Sequence, residues 1–370
     1  MQPRRIIGIA VAVALGGCGG RTAPPPTTVA RDRIAIVASE RGPEGVRLVA
    51  IDEHGDRQFA LIQPANGVVR DSHPAVSPDG KWLAFASSRG HTLDQTRLWI
   101  AALGVAVPPR PLTDGPAIDA HPAWMPDGSA LVFASIRNGS DYNLWRLAMR
   151  DGRPGELTQL THAPGHEVTP AIAPDGAIIY AAVTPDVARR EIETHLEECA
   201  PDGTIRRLTD GPADSSPAVS PDGARLVFAR PELHRGKPDS ELWYLVRATG
   251  AIAPVIDLPL TDESGPVWSR DGRFVFATSV VRGTEGVVFS SIIHIDTRER
   301  PPIARILEDR VGAIVRLTPG LTTTPLDAAV LHRDPEYRSE LARIMSEILE
   351  RQREQSAPAP GPPAEQLPGR

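Results

Sequence analysis

Short apolar runs separated by turn residues fill most of this chain, and the pattern repeats. Pro74-Ala75-Val76 leads into Ser77-Pro78-Asp79-Gly80, and Trp82-Leu83-Ala84-Phe85-Ala86 follows. The polar phrase returns as Met125-Pro126-Asp127-Gly128, Ala173-Pro174-Asp175-Gly176, Ser220-Pro221-Asp222-Gly223 and Ser269-Arg270-Asp271-Gly272. From Asp79 through Asp127, Asp175 and Asp222 to Asp271 the steps are 48, 48, 47 and 49 residues. Pro presets φ for the first central position of a type I turn, Asp suits the second, and Gly accepts the left-handed conformation after it. Apolar runs on both sides make each phrase a predicted β-hairpin.

The rest of each repeat falls into register around that hairpin. An acid followed three residues later by Pro precedes it: Asp71, Asp119, Glu167, Asp214 and Glu263. A later run carries Leu-Trp (Leu98-Trp99, Leu144-Trp145, Leu242-Trp243), and a fourth ends in Leu-Thr (Leu112-Thr113, Leu160-Thr161, Leu208-Thr209, Leu260-Thr261). Four short strands per period predict one propeller blade, a unit that must stack on its neighbours to bury both faces. A partial unit at residues 33–42 matches residues 81–90, and Asp309-Arg310-Val311-Gly312-Ala313-Ile314-Val315 echoes the inner strand that begins at Asp71. The two incomplete ends add to one blade. The expected fold is therefore an all-β, six-bladed propeller closed by mixing N- and C-terminal strands. The longer connections at 185–193 and 231–240 are expected to be surface loops.

The phrase acid-x-x-Pro-x-x-x-Pro-Asp-Gly with its Leu-Thr tail resembles the TolB-type propeller repeat, over roughly residues 32–320. The resemblance implies a propeller in the bacterial envelope. It says less about activity, because one fold hosts many functions.

The N-terminus reads separately. Arg4 and Arg5 precede a short apolar run and then Leu15-Gly16-Gly17-Cys18. This resembles a bacterial lipoprotein signal over residues 1–17, with Cys18 as the lipidated first residue of the mature chain; an ordinary secretory signal is the alternative. Several acyl chains make such an anchor effectively permanent. Gly19 after the Cys implies an outer-membrane lipoprotein facing the periplasm. Residues 18–31 form a Pro-rich tether. At the other end, Asp334 as N-cap, Pro335 at the first position and a stripe of Tyr337, Leu341, Ile344, Met345, Ile348 and Leu349 predict an amphipathic helix over 334–353. It either packs on the propeller or binds a partner. Residues 354–370 read as a disordered tail.

Charge and chemistry narrow the functions. Forty basic against 46 acidic residues give a net charge of −6, which argues against a nucleic-acid partner. With Cys18 assigned to lipid, Cys199 has no intramolecular partner, which leaves no disulfide framework or Cys-based metal site. No Gly-x-Ser-x-Gly, phosphate loop or His-Glu-x-x-His appears, and no cofactor is implied. Two features remain. The acids Asp71, Asp119, Glu167, Asp214, Glu263 and, by register, Asp309 should ring one end of the channel; each carboxylate could equally accept local N–H bonds and fix a loop between blades. His73 and His121 share one position in neighbouring repeats, where the others carry Thr169, Ser216 and Gly265. These residues make the channel rim the candidate binding site, electronegative and suited to basic partners. The expected function is a non-catalytic, membrane-anchored scaffold for an envelope protein or glycan. The alternative is a metal-dependent carbohydrate lyase or hydrolase at the acid ring.

Overall fold

Each Pro-Asp-Gly phrase folds as its residues demand. In the first, the Gly80 amide donates to the Ser77 carbonyl at 2.9 Å, and the Ser77 amide donates to the Trp82 carbonyl at 2.8 Å. Ser77 Oγ donates to Asp79 Oδ1 at 2.6 Å and accepts from the Trp82 amide at 2.9 Å. Gly80, Gly128, Gly176, Gly223 and Gly272 take φ between 67° and 87°, a region open to Gly at little cost.

A computed structural model describes residues 34–325 except 43–44, 53–56, 59–61, 63–66, 104–106, 187–190, 212, 235–236, 257, 259–260, 284–285, 300–301 and 307–315. The signal, the tether with Cys18, Asp309, the helix over 334–353 and the tail lie outside the described residues.

Among the described residues all elements are strands, and four of the sheets they form have four strands each. Their inner strands are Asp119–Trp124, His166–Ile172, Ser215–Val219 and Thr261–Trp268. The fifth sheet has eight strands. It begins with the C-terminal strand Arg316–Pro325, antiparallel to Ile34–Gly42, so the two ends of the ring do share a sheet. The pairing strand lies just beyond the stretch starting at Asp309 that the sequence pattern picked out.

Six separate blades are therefore not found; the sheets number five. The reason is a short parallel pairing between Gly45–Asp52 and the inner strand Val69–Val76, through Gly45–Val69 and Val46–Arg70. Elsewhere the same junction is a single bond: the amides of Asp119, Glu167 and Asp214 donate to the carbonyls of Thr96, Tyr142 and Thr194 at 2.7–2.9 Å. At the first junction the contact extends far enough to fuse two repeats into one sheet.

The expected loops at 185–193 and 231–240 are also corrected. The strands continue through them as long hairpins, pairing Asp186 with Glu191 and His234 with Lys237. The prolines that suggested a break, Pro185 and Pro231, sit within paired positions opposite Ile192 and Ser240 and do not end the ladder.

Apolar packing runs between sheets. Each of these second strands carries a buried aromatic: Phe85, Phe133, Tyr180, Phe228 and Phe276. One cluster joins Ala84, Leu98 and Ile100 to Trp124, Leu131 and Phe133 of the next sheet. Another joins Ile36, Ala38 and Val49 to Phe276 and Ile292, which closes the ring by packing as well as by hydrogen bonds. Trp124 and Trp268 pin adjoining inner strands by donating from Nε1 to the carbonyls of Ala75 and Ala218 at 3.0 and 3.2 Å.

Candidate functional site at the channel

The repeated acids lie inside the wall rather than on its rim. Asp71, Asp119, Glu167, Asp214 and Glu263 are at most 3% exposed. Asp119 accepts from Ser135 Oγ at 2.6 Å, from Thr113 Oγ1 at 2.5 Å, and from Arg137 Nη2 at 2.7 and 2.8 Å. Asp71 accepts from Ser87 Oγ at 2.5 Å and Arg89 Nη2 at 2.6 Å, and Asp214 takes Arg230 bidentately at 2.6 and 2.7 Å. Each of these arginines also lies over the Trp of its Leu-Trp run, 5.0–6.0 Å from the ring centroid: Arg89 on Trp99, Arg137 on Trp145, Arg230 on Trp243. The Leu-Thr tail has a matching role. Thr113 and Thr161 accept the amides of Leu98 and Leu144 and donate to Asp119 and Glu167 of the next repeat. A rim of free carboxylates facing a basic partner is thus not what these five residues form.

The two glutamates differ from the aspartates. Among the described residues no arginine is paired with them: the position 18 residues after each acid, Arg in Arg89 and Arg137, is Pro185 after Glu167 and Val281 after Glu263. Burial pushes both carboxyls up to about 7, against hydroxyl hydrogen bonds such as Thr161 to Glu167 at 2.9 Å and Ser279 to Glu263 at 2.8 Å. Glu263 Oε2 is buried with no hydrogen-bond partner. In place of the Arg–Trp pair the sheet of Glu167 carries Glu197, which accepts from Tyr180 Oη at 2.8 Å and pairs with His195 Nε2 at 3.0 Å.

What faces the axis is the residue two beyond each acid, with the proline after it. His73-Pro74, His121-Pro122, Thr169-Pro170, Ser216-Pro217 and Gly265-Pro266 line one cavity of about 140 Å³. Every inner strand slips register at this pair, for example between Ser72 and Ala75 against the second strand. Pro donates no hydrogen bond, so within a sheet it belongs at bulges and edges. The residue before it is disfavoured in the right-handed helical region. Here it is left-handed in all five repeats, with φ of 52°, 53°, 51°, 52° and 58°. That conformation costs a residue with a Cβ about 1–2 kcal/mol, and Gly265 alone avoids it. Strain of this kind concentrates at functional sites.

His73 and His121 meet here, ring centroids 4.1 Å apart and edge to face. Nδ1 of both rings and Oγ1 of Thr169 are buried without hydrogen-bond partners. Burial holds the His121 ring down at about 4, and His73 well below its ordinary value, with the charge of Arg70 adding to both. Among the described residues no group of three or more His, Cys, Asp or Glu is placed to hold a metal ion. Cys199 is a half-buried free thiol in the strand Glu191–Cys199, and burial raises its pKa.

Sequence reasoning found the acids and the histidines but gave the arginines no role. The signal was present: Ser87-Ser88-Arg89 and Ser135-Ile136-Arg137 recur at one distance from their acids. The bulge was signalled by a Pro inside a strand pattern.

No curated protein matches this sequence. Among solved structures, TolB from Acinetobacter baumannii superposes with a TM-score of 0.59 at 20% identity, covering 80% of this chain and 67% of that one. Hydrazine synthase from Kuenenia stuttgartiensis gives 0.61 at 15% identity, covering 81% and 47%. A chain of a nidogen–laminin complex gives 0.58 at 12%, covering 79% and 98%. Such distant likenesses establish the fold and no activity. The family model of the TolB β-propeller domain matches residues 25–272, and with the repeat geometry above it follows that this chain belongs to that family.

Proposed function

We propose that this protein is a non-catalytic scaffold of the bacterial envelope that binds a protein partner at the mouth of its channel and is held to the membrane through lipid on Cys18. One observation carries the reading. The three aspartates are paired with arginines within the chain, whereas Nδ1 of His73 and of His121 and Oγ1 of Thr169 at the axis have no hydrogen-bond partner among the described residues. Buried polar groups are ordinarily hydrogen-bonded, so unsatisfied ones call for an explanation, and a ligand in the cavity supplies one. Family membership supports the scaffold over the carbohydrate lyase or hydrolase. The latter needs carboxylates free to act at the acid ring, and these are buried and bonded. A glycan partner has no comparable observation in its favour.

Site-specific photocrosslinking tests this. A crosslinker in place of Val68, which is exposed two residues before Arg70, should capture one discrete envelope protein in intact cells. One in place of Ile303, exposed beside the outer strand Ala304–Ile306, should not. Capture at Ile303 and never at Val68 would move the binding surface off the channel.

A further inference from the structure

We infer that His73, His121 and Thr169, with Arg70 beside them, form a carboxylate-binding site on the channel axis. The proposal rests on the channel being the binding surface, and it reverses the charge expected of the partner. Four observations lead to it.

First, the cavity is real space: about 140 Å³, against roughly 10–15 Å³ for a single water by a comparable measure. Second, its polar lining is unspent, since the imidazoles of His73 and His121 and the Thr169 hydroxyl make no side-chain hydrogen bond. Third, the tautomer follows from burial. A buried, unpartnered N–H is less tolerable than an unpartnered acceptor, so the proton belongs on Nε2, the ring atom left to the cavity. Two Nε2–H groups on rings 4.1 Å apart and the Thr169 hydroxyl then give the cavity lining three donors that no acceptor in the described chain occupies. Fourth, the field there is positive. Arg70 is exposed, makes no side-chain ion pair among the described residues, and acts on both imidazoles. The nearest acids, Asp71 and Asp119, are neutralised by Arg89 and Arg137. Unoccupied donors in a positive field suit an oxyanion and oppose a cation. The carboxylate could come from a small free acid or from an acidic group on a bound polypeptide.

The test uses the mature protein with ¹³C-labelled histidine, following the ring signals of His73 and His121, assigned with His73→Asn and His121→Asn. Acetate, acetamide, a capped aspartate-containing peptide and zinc chloride are titrated separately at constant ionic strength. Acetate should shift both signals saturably and acetamide should not. Arg70→Gln should weaken acetate by about tenfold or more, as expected for a hydrogen bond to a charged group. Tighter binding of the peptide than of acetate would assign the carboxylate to a polypeptide, and equal binding to a small acid. Absence of saturable shifts with acetate and peptide, equal shifts with acetamide, or stoichiometric shifts with zinc alone would overturn the proposal. Fold is checked by the remaining histidine signals. If Val68 still crosslinks a partner while acetate and peptide fail, the scaffold stands and the carboxylate site falls; if both fail, the channel is not the binding surface.

Discussion

Replacing Glu263 with Gln should make the protein more stable at high pH and change little at low pH. Glu263 is fully buried, the hydroxyls of Ser279 and Thr261 offset only part of that burial, and its carboxyl is lifted to about 7 from an ordinary 4.5. A raised pKa means that the folded state holds a proton the unfolded state has released. Stability from this group is complete below pH 4.5, declines between 4.5 and 7, and is gone above. A difference of 2.5 units at 1.36 kcal/mol each corresponds to about 3 kcal/mol. Gln preserves the shape and cannot ionise. Unfolding free energies of the two proteins, from urea titrations at pH 5, 6, 7 and 8, should diverge in favour of Glu263→Gln by up to about 3 kcal/mol. The low-pH loss from the depressed histidines His73 and His121 has the opposite sign but is common to both proteins and cancels in the difference. A difference independent of pH would refute the reasoning, because it would place the Glu263 carboxylate in an environment that already accepts its charge.

Other outcomes follow from the same geometry. Thr169→Gly removes a β-branched residue from φ of 51° without losing a hydrogen bond, and should raise the unfolding free energy by about 1 kcal/mol; a loss of that size would deny the strain. Arg137→Met leaves the fully buried Asp119 short of its ion-pair partner and should cost about 3 kcal/mol in denaturant melts, far beyond the ~0.5 kcal/mol of a surface change. Removing residues 316–325 uncovers the edge of Ile34–Gly42 and should lower the melting temperature and promote aggregation; an unchanged melt would contradict closure by that strand. Cys18→Ser should move the protein from the membrane to the soluble fraction, and retention in the membrane fraction would exclude a lipid anchor at that residue.

The propeller was legible because its information is local and repeated. Pro-Asp-Gly dictates a turn wherever it stands, and four copies in register, with Arg270-Asp271-Gly272 as a fifth turn, leave little choice of architecture. The join between sheets was not legible, because two backbone pairs at Gly45 and Val46 decide it and no side-chain pattern encodes them. The acids were found for their periodicity but given the wrong surroundings. Whether a carboxylate faces water or an arginine depends on a partner 16 or 18 residues away across a hairpin, as for Arg230 and Asp214 or Arg137 and Asp119. His73 and His121 were seen to correspond. That they touch required the bulge, which turns two equivalent positions of adjoining repeats towards one axis.

The pairing of Ile34 with Pro325 also sets an order of events. No sheet containing the first strand can be completed until the last one has been made. Contacts so distant along the chain slow folding, since loop closure must precede any gain. The first strand therefore waits with an open edge while the four self-contained sheets can form from local hairpins. A circular permutant opened at the Asn138-Gly139 turn would bring the two closing strands much closer together in sequence and shorten that wait, leaving the native ring unchanged.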